Sequence, residues 1–313
     1  MVKKSKLKWL IEYFAVLVLF TLAGLLPNRG IRILGTITGD MLFRFVPKRR
    51  SIAIENISSA FPDKSQAEVT TIARESCRSF IMSFLEMIKN RSTFKTPEAF
   101  RKAHKSTTHI EMLFKKAKDI HDSSGGCIFL TPHIGNWELL PHVSSIVGIA
   151  LVVVARPLDN PYLEKLIYSS RTDTGQVFIA KTNAMFKLQE TLRRGKSIGM
   201  LPDQSTSKGI SVDYFGRKAT ATPIPAMLSV LYKKPVVVCA CVRQKANDGT
   251  FTGFVSDPIY PLSSYSSEKA EIHRITGEIT KAMEHIIREY PEQYLWIHNR
   301  WKTYKKENVW AKP

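Results

Sequence analysis

A histidine and a glutamate are separated by four residues in the segment 131–138, which reads TPHIGNWE. A neutral imidazole such as that of His133 accepts a proton from an attacking hydroxyl near neutral pH. A carboxylate at Glu138 would hold the other ring nitrogen, fix the tautomer and stabilise the imidazolium that forms. The residue types therefore predict a general base with an orienting partner, as in a catalytic triad without the serine.

The surroundings of His133 favour this interpretation. The apolar run 127–130 before it predicts a strand, and a helix is expected to begin near Asn136. Open α/β sheets place their ligand sites at the carboxyl ends of strands. Gly135 would allow substrate or backbone to approach closely, and N–H groups at the helix start would face developing negative charge.

The spacing alone is not specific, since His273 and Glu278 repeat it inside a long amphipathic segment, where a solvated helix face is expected. Residues 195–199 (GKSIG) match the serine-hydrolase pattern, but a helix precedes and a strand follows, the reverse of a nucleophile elbow. Ser197 is therefore interpreted as a strand-entry residue. A P-loop is excluded because Glu190 stands where its first glycine is required.

The elements that must position these residues follow from periodicity. Helical spacing dominates residues 48–120, and short apolar or β-branched runs then alternate with helical segments. The predicted strands are 127–130, 149–155, 176–180, 197–201, 210–215 and 235–243, and the predicted helices are 159–171, 183–194, 223–232 and 267–289. This alternation predicts an α/β fold with a mostly parallel central sheet and flanking helices.

The chain is expected to divide into three parts. Residues 1–28 form an N-terminal membrane anchor, 29–125 a helical region, and 126–313 the α/β core with a C-terminal helix and a basic aromatic tail. The anchor is predicted because residues 9–26 are apolar and as a helix cover about 27 Å, close to the hydrocarbon thickness of a bilayer. A cleaved signal peptide and a buried core helix are the alternatives. The basic residues Arg29, Arg32 and Arg44 beyond it favour a retained anchor, and whether it spans or lies within the bilayer stays open.

Charge and cysteine content restrict the partners. Forty-six Lys and Arg against 27 Asp and Glu leave a formal charge of +19, which favours nucleic acid, an anionic bilayer or an acidic protein. The four cysteines are too few and scattered for a disulfide framework, and none is grouped with histidine at zinc-ligand spacing. Reduced, structural thiols are expected, with Cys239 and Cys241 on one buried face.

Beyond single motifs, nearly the whole chain resembles the late acyltransferases of lipid A biosynthesis, within the lysophospholipid acyltransferase superfamily. After the apolar N-terminus, the matching blocks are 56–62 (NISSAFP), 133–138 (HIGNWE), 156–161 (RPLDNP), 171–175 (RTDTG), 201–204 (LPDQ), 214–222 (YFGRKATAT), 235–237 (PVV) and 290–302 (YPEQYLWIHNRWK). Their order along the chain makes the resemblance specific. The resemblance implies that His133 and Glu138 form the catalytic pair.

The resemblance implies an enzyme at the cytoplasmic face of the inner membrane that takes acyl chains from acyl carrier protein. The acceptor would be a hydroxyl on an acyl chain of an anionic glycolipid, a lipid A precursor, and neither a metal nor a redox cofactor is needed. Substrate contacts are expected from Arg171, Asp203, Gln204, Gly135, Asn136 and Arg156. Asp203 would touch substrate or organise Arg171, or else serve as a turn residue after Pro202.

Two alternatives stay open. The acceptor could be another membrane glycolipid or a phospholipid, although the Leu-Pro-Asp-Gln block at 201–204 differs from the Glu-Gly-Thr type of glycerol-phosphate acyltransferases. A basic, membrane-tethered binding protein without catalysis would also show the charge and the anchor. Nucleic-acid binding would use the aromatic and basic tail, Lys302 and Tyr304 to Lys306, but a membrane-hugging tail explains these residues as well, and no nucleic-acid partner is expected.

Overall fold

The computed structural model describes residues 6–89, 107–155, 158–168, 177–180, 184–244 and 250–302. Its centre is a six-stranded sheet in the order β3-β2-β4-β1-β7-β8. The strands are β1 (Ile128–Leu130), β2 (Leu151–Ala155), β3 (Val177–Ala180), β4 (Ser197–Met200), β7 (Val236–Arg243) and β8 (Phe251–Val255). Neighbouring strands pair in parallel except β7 and β8, which are antiparallel. The predicted α/β class with a mostly parallel sheet is confirmed.

Helices precede the sheet and connect its strands. They are α1 (Lys6–Leu25), α2 (Asn28–Phe45), α3 (Pro47–Ala60), α4 (Gln66–Lys89), α5 (Thr107–Ser124), α6 (Leu140–Ile146), α7 (Pro161–Tyr168), α8 (Ala184–Arg193), α9 (Ile224–Tyr232) and α10 (Glu268–Glu289). The strand and helix bounds agree with the sequence expectations to within a few residues, and α2 and α6 lie where helical structure was expected. The strands Arg217–Ala221 and Phe251–Val255 were not expected. These connecting helices cover both faces of the sheet, as buried parallel strands require.

The predicted strand 210–215 is not part of the central sheet. Among the residues the structure describes, β5 (Ile210–Tyr214) pairs with β6 (Arg217–Ala221) alone, as an antiparallel hairpin separate from the main sheet. Its two-residue turn places both Phe215 and Gly216 at positive φ, 51° and 71°, which matches the twist of a tight hairpin. Phe215 holds this uncommon conformation because it is buried and its N–H donates to Glu284 Oε2 at 2.8 Å.

Two apolar cores flank the sheet. On one side, buried residues of α3, α4, α9 and α10 pack against β1, β4 and β7. On the other, α5 and α6 cover β1, β2 and β7. Since α3 and α4 share a core with the sheet, they form one body with it, and the three-part division of the chain stays a prediction. All four cysteines are free and buried, as expected, with Cys239 and Cys241 both facing the second core.

The first helix, Lys6–Leu25, is long and apolar enough to cross a membrane by length and composition. It packs against α4 near its C-terminal end, where Ala23 joins Ile31, Leu85 and Ile88 in a small apolar cluster. The helix α4 is therefore central: it touches α1 and α2 on one side and the loop after β1 on another.

Candidate active site

His133 is held by Asp203 through two hydrogen bonds. The ring atom Nδ1 lies 2.6 Å from Asp203 Oδ1, and the backbone N–H of His133 donates to Oδ2 at 2.8 Å. Asp203 is almost fully buried, and the His133 side chain keeps 17% of its surface exposed. A carboxylate that accepts from Nδ1–H fixes the tautomer in which Nε2 is the proton acceptor.

The sheet explains why these residues meet. β1 and β4 are parallel neighbours, with Ile128 opposite Ile198, and Thr131 N–H continues the ladder by donating to Met200 O at 3.1 Å. His133 follows β1 and Asp203 follows β4 at the same distance beyond the carboxyl ends of the strands. The carboxyl edge of a parallel sheet is where α/β enzymes place their ligand sites.

Each member of the pair stabilises the charged form of the other. Burial alone would lower the pKa of His133, but the Asp203 charge and hydrogen bond, with a smaller contribution from the Glu138 charge, outweigh it and raise this pKa. Burial alone would raise the pKa of Asp203, yet the charge and hydrogen bonds of His133, together with the Arg300 charge, lower it. The site is therefore built to stabilise an imidazolium beside an ionised carboxylate.

The contact with His133 Nδ1 that was expected of Glu138 is made by Asp203. Glu138 lies half-buried in a single 3₁₀ turn, Trp137–Leu139, rather than at the start of a long helix. It is close enough to His133 for its charge to raise the imidazole pKa, but the bond to Nδ1 is made by Asp203. The physical reason is the sheet, which brings the end of β4 directly beside the end of β1.

The loop after His133 is fixed by backbone contacts on two sides. Gly135 N–H donates to Gln293 O at 3.1 Å, Asn136 N–H donates to Cys241 O at 2.8 Å, and Leu295 N–H donates to His133 O at 3.0 Å. Gly135 has φ +58°, and a Cβ there would lie 2.1 Å from Cys241 O. The expected close approach at Gly135 is thus made by the backbone of β7. Since the Asn136 N–H is used in this contact, it does not face a substrate.

A polar network supports this loop from behind. Arg243 forms a bidentate ion pair with Glu86, at 2.9 and 2.7 Å, and also donates to the hydroxyls of Ser79 and Ser83. Glu86 accepts from Asn136 Nδ2 at 2.7 Å. The Asn136 side chain is fully buried, so its role here is to tie the loop to α4. Sequence reasoning missed Arg243 and Glu86 because their pairing depends on the tertiary fold.

A buried cation lies on the other side of Asp203. Arg300 is 2% exposed, packs 4.8 Å from the centre of the Tyr214 ring, and donates from one terminal nitrogen to Thr220 O at 2.6 Å. Ser205 N–H, two residues past Asp203, donates to His298 Nε2 at 3.2 Å. The C-terminal segment around His298 and Arg300 therefore holds the Asp203 loop. Gln204 is exposed beside it.

An apolar cavity of about 60 Å³ opens beside the pair. Thr131 and Trp137, on either side of His133 in the sequence, contribute to its wall, and the Trp137 ring lies 5.3 Å from the imidazole. The rest of the lining comes from α5, α6 and the strands beneath them, including Ala117, Phe129, Leu140, Ser144, Met200 and Cys239. The volume admits a few methyl-sized groups without movement, and the lining suits a hydrocarbon chain.

Ser197 of the 195–199 motif and His273 of the second histidine–glutamate pair make contacts within the fold, away from His133. Ser197 is fully buried at the start of β4, accepts from Cys127 N–H at 2.9 Å and lies 2.7 Å from His121 Nδ1. His273 lies on the surface of α10 against Ser211 O, and Glu278 pairs with Arg274. Ser197 stands at the amino edge of the sheet, opposite the edge that carries His133.

Three further arginines that could bind an anionic acceptor, Arg193, Arg194 and Arg300, are not exposed beside His133. Arg193 and Arg194 are exposed at the end of α8, just before β4, and so lie toward the amino edge of the sheet, away from His133. Arg300 is buried and not available to a surface ligand. Arg156 and Arg171 lie outside the described residues. Within the described part of the chain, no group of three or more His, Cys, Asp or Glu side chains is arranged to hold a metal ion.

Comparison with known proteins identifies the class of enzyme. The chain belongs to the bacterial lipid A biosynthesis acyltransferase family, whose pattern matches residues 1–303. It is 26% identical over 281 residues to the lipid A biosynthesis palmitoleoyltransferase of Escherichia coli K12, covering 89% of this chain and 87% of that protein. It is 24% identical over 280 residues to the lauroyltransferase of the same organism, with the same shares covered. The chain is therefore an acyltransferase, and the expected family resemblance is confirmed.

Proposed function

We propose that this protein esterifies a hydroxyl on an acyl chain of a lipid A precursor, with His133 as general base and Asp203 as its positioning partner. The observation that carries the proposal is the pair itself: a half-buried imidazole whose Nδ1 is engaged by a buried carboxylate at the carboxyl edge of the sheet. This arrangement leaves Nε2 for a proton from the acceptor hydroxyl.

The proposed reaction needs no covalent acyl-enzyme. The acceptor oxygen attacks the thioester carbonyl carbon while its proton passes to Nε2 of His133. The C–S bond then breaks, and the departing thiolate takes the proton from the imidazolium. Asp203 stabilises that imidazolium throughout, and the nearby Glu138 carboxylate adds to the same negative potential.

The acyl donor is proposed to be acyl carrier protein. A chain with a formal charge of +19 suits both an acidic carrier and a phosphorylated acceptor. The apolar cavity beside Trp137 is the proposed site of the acyl chain, since its wall reaches Thr131, two residues before His133. Arg156 and Arg171 stay proposed substrate contacts from sequence.

The proposed location is the cytoplasmic face of the inner membrane, where acyl carrier protein is available. The apolar helix α1 supports membrane attachment. Exposed basic residues that follow it, such as Arg29 and Arg44, suit anionic headgroups.

Mass spectrometry of lipid A tests the function. Cells that lack the gene should accumulate lipid A short of one acyl chain, and a plasmid carrying the protein should restore it. The His133→Ala protein should not restore it, although it should be present in membranes at the same level. A plasmid carrying His273→Ala is the matched control and should restore the chain fully.

The purified protein with acyl carrier thioester then tests acceptor and donor. Transfer should occur to an under-acylated lipid A precursor and not to a lysophospholipid. Transfer to the lysophospholipid alone would contradict the glycolipid acceptor, and a stable acyl-enzyme trapped by mass spectrometry would contradict the direct mechanism.

A further inference from the structure

One side of helix α1 is apolar and exposed along its entire length. The exposed large side chains are Leu7, Ile11, Phe14, Val18, Leu22 and Leu25. They recur every three or four residues, so they form one continuous stripe on a single helix face. The opposite side carries Trp9, Tyr13 and Ala23, which pack against the body of the protein.

The body of the protein holds both ends of α1. At the N-terminal end, Asn160 Nδ2 donates to Trp9 O at 2.8 Å and to Glu12 Oε2 at 3.2 Å, and the Tyr13 and Tyr162 rings are 6.0 Å apart. At the C-terminal end, Lys89 Nζ donates to Leu26 O at 2.5 Å. These anchor points are about 26 Å apart along the helix axis, nearly the thickness of the hydrocarbon core.

A helix attached in this way cannot cross the bilayer without carrying the body with it. If α1 stood upright, either Lys89 or the segment around Asn160 would reach the far side of the hydrocarbon. The second segment includes the exposed charged residues Asp159 and Lys165. Charged groups are strongly disfavoured within the hydrocarbon, and backbone there must be fully paired.

The second helix presents a matching stripe. Ile33, Ile37, Met41 and Phe45 are all more than half exposed and recur every four residues. On the other side of α2, Gly35 and Gly39 are buried against α4, where a Cβ would come within 2.2 Å of Met82 Sδ and 2.5 Å of Arg78 Cα. Because α1 and α2 both pack on α4, the two stripes face away from the body.

The charges beside the stripes indicate what covers them. Exposed basic residues lie at both ends of α2, with Arg29 at its start, Arg44 at its end, and Lys48 and Arg49 just beyond. The acidic Asp40 within α2 is occupied by ion pairs with Arg74 and Arg78. A second copy of the chain would bring the same basic residues together across a two-fold axis, which is unfavourable. Anionic lipid headgroups are complementary to them, and hydrocarbon is complementary to the stripes.

We propose that α1 and α2 form one membrane face that enters a single leaflet of an anionic bilayer, with α1 lying in the membrane plane rather than crossing it. This goes beyond the proposed function and rests only on its membrane location. The catalytic body then sits against the bilayer surface through α4.

Depth measurements in the full-length protein test the proposal. The four native cysteines are buried, so single surface cysteines can be labelled selectively. A nitroxide is attached to Leu7→Cys, Val18→Cys, Leu25→Cys or Ile37→Cys, with Lys218→Cys in the β5–β6 hairpin as the water-exposed control. Each protein is reconstituted into phosphatidylcholine vesicles with or without phosphatidylglycerol. Accessibility to oxygen and to an aqueous nickel chelate then gives the depth.

The expected result is one shallow depth for all four labels, shielded from the nickel chelate, with Lys218→Cys fully accessible. Phosphatidylglycerol should increase the shielding at Ile37. A spanning α1 would put Val18 about 10 Å deeper than Leu7 and Leu25, given its mid-helix position, and leave Ile37 in water. That outcome would overturn the proposal. So would spin–spin broadening at Ile37 that disappears on dilution with unlabelled protein, since it would show a second copy on this face. Depth is read without substrate, so failure of the acyl-transfer assay would not affect it.

Discussion

Asp203 binds both the ring and the backbone of His133, using one carboxylate oxygen for each. The hydrogen bond to the backbone N–H fixes the position of the His133 main chain, and the hydrogen bond to Nδ1 fixes the orientation of the imidazole ring. A carboxylate used in this way controls the geometry and the protonation of the base together.

Replacing this carboxylate should therefore change both the rate and its pH dependence. Asp203→Asn is expected to lower kcat by about 10²–10⁴, the range found when a general base loses its function. The raised pKa of His133 means that kcat/KM rises with pH as the imidazole becomes neutral. Without the Asp203 charge this pKa falls, so the acid limb of the profile should move to lower pH.

The pH profiles of the wild type, Asp203→Asn and Ser197→Ala check this prediction. Ser197→Ala should keep the wild-type profile, since Ser197 lies at the opposite edge of the sheet. An acid limb that stays in place in Asp203→Asn would show that another group sets the pKa of the base.

Glu138 should matter less than Asp203. It acts on His133 through its charge and does not hold Nδ1. Glu138→Gln is expected to lower kcat by a smaller factor than Asp203→Asn, measured with the same substrates. The double variant His133→Ala, Asp203→Asn should be no worse than His133→Ala, because the two residues act as one unit. A larger loss in Glu138→Gln than in Asp203→Asn would restore the sequence-based assignment.

Gly135 should tolerate no side chain. An alanine there combines an unfavourable positive φ with a Cβ at 2.1 Å from Cys241 O, so destabilisation by more than about 1 kcal/mol and loss of activity are expected. Gly277→Ala within α10 is the matched control. Apart from the helix's own nearby backbone, nothing lies within 4 Å of the Cβ position of Gly277, so the alanine should stabilise the helix by up to about 1 kcal/mol. Thermal unfolding of the detergent-solubilised proteins measures both.

The Arg243–Glu86 pair should contribute strongly to stability. Both side chains are only 13–14% exposed, so Arg243→Ala leaves a carboxylate poorly solvated, and a loss of about 3 kcal/mol is expected. The solvent-exposed pair Lys187–Glu190 provides the comparison, and Lys187→Ala is expected to change stability little. Equal shifts in melting temperature for Arg243→Ala and Lys187→Ala would show that the Arg243–Glu86 pair contributes no more to stability than an exposed ion pair.

Filling the apolar cavity should shorten the preferred acyl chain. Ala117 is buried on α5 and lines this cavity. Ala117→Met is expected to lower kcat/KM for long-chain acyl carrier thioesters more than for short ones. Lys115→Met, exposed on the same helix, should leave the ratio unchanged. A uniform loss across chain lengths would place the acyl chain elsewhere.

The sequence predicted the features that depend on residues close together along the chain, such as the individual strands and helices. The strand before His133 and the run that becomes β4 are both recognisable as apolar segments. Each is followed within two or three positions by a polar residue, His133 or Asp203. The partner of His133 could not be predicted in the same way. β1 and β4 are neighbours in the sheet although β2 and β3 lie between them in sequence, and hydrophobic periodicity does not determine the order of strands in a sheet. The prediction of Glu138 rests on its spacing from His133 and on the family resemblance. The signal for Asp203 was its position after a strand end, equivalent to that of His133.

The separation of 70 positions between His133 and Asp203 also has a consequence for how the protein is made. The pair requires β1 and β4 to be aligned, and the loop between them is completed only when Leu295 binds the His133 carbonyl. A chain emerging from the ribosome therefore has no complete site until almost all of it has been synthesised. Such non-local contacts form late and slowly. A nascent or truncated chain thus exposes its apolar helices α1 and α2 to the membrane before it can catalyse anything.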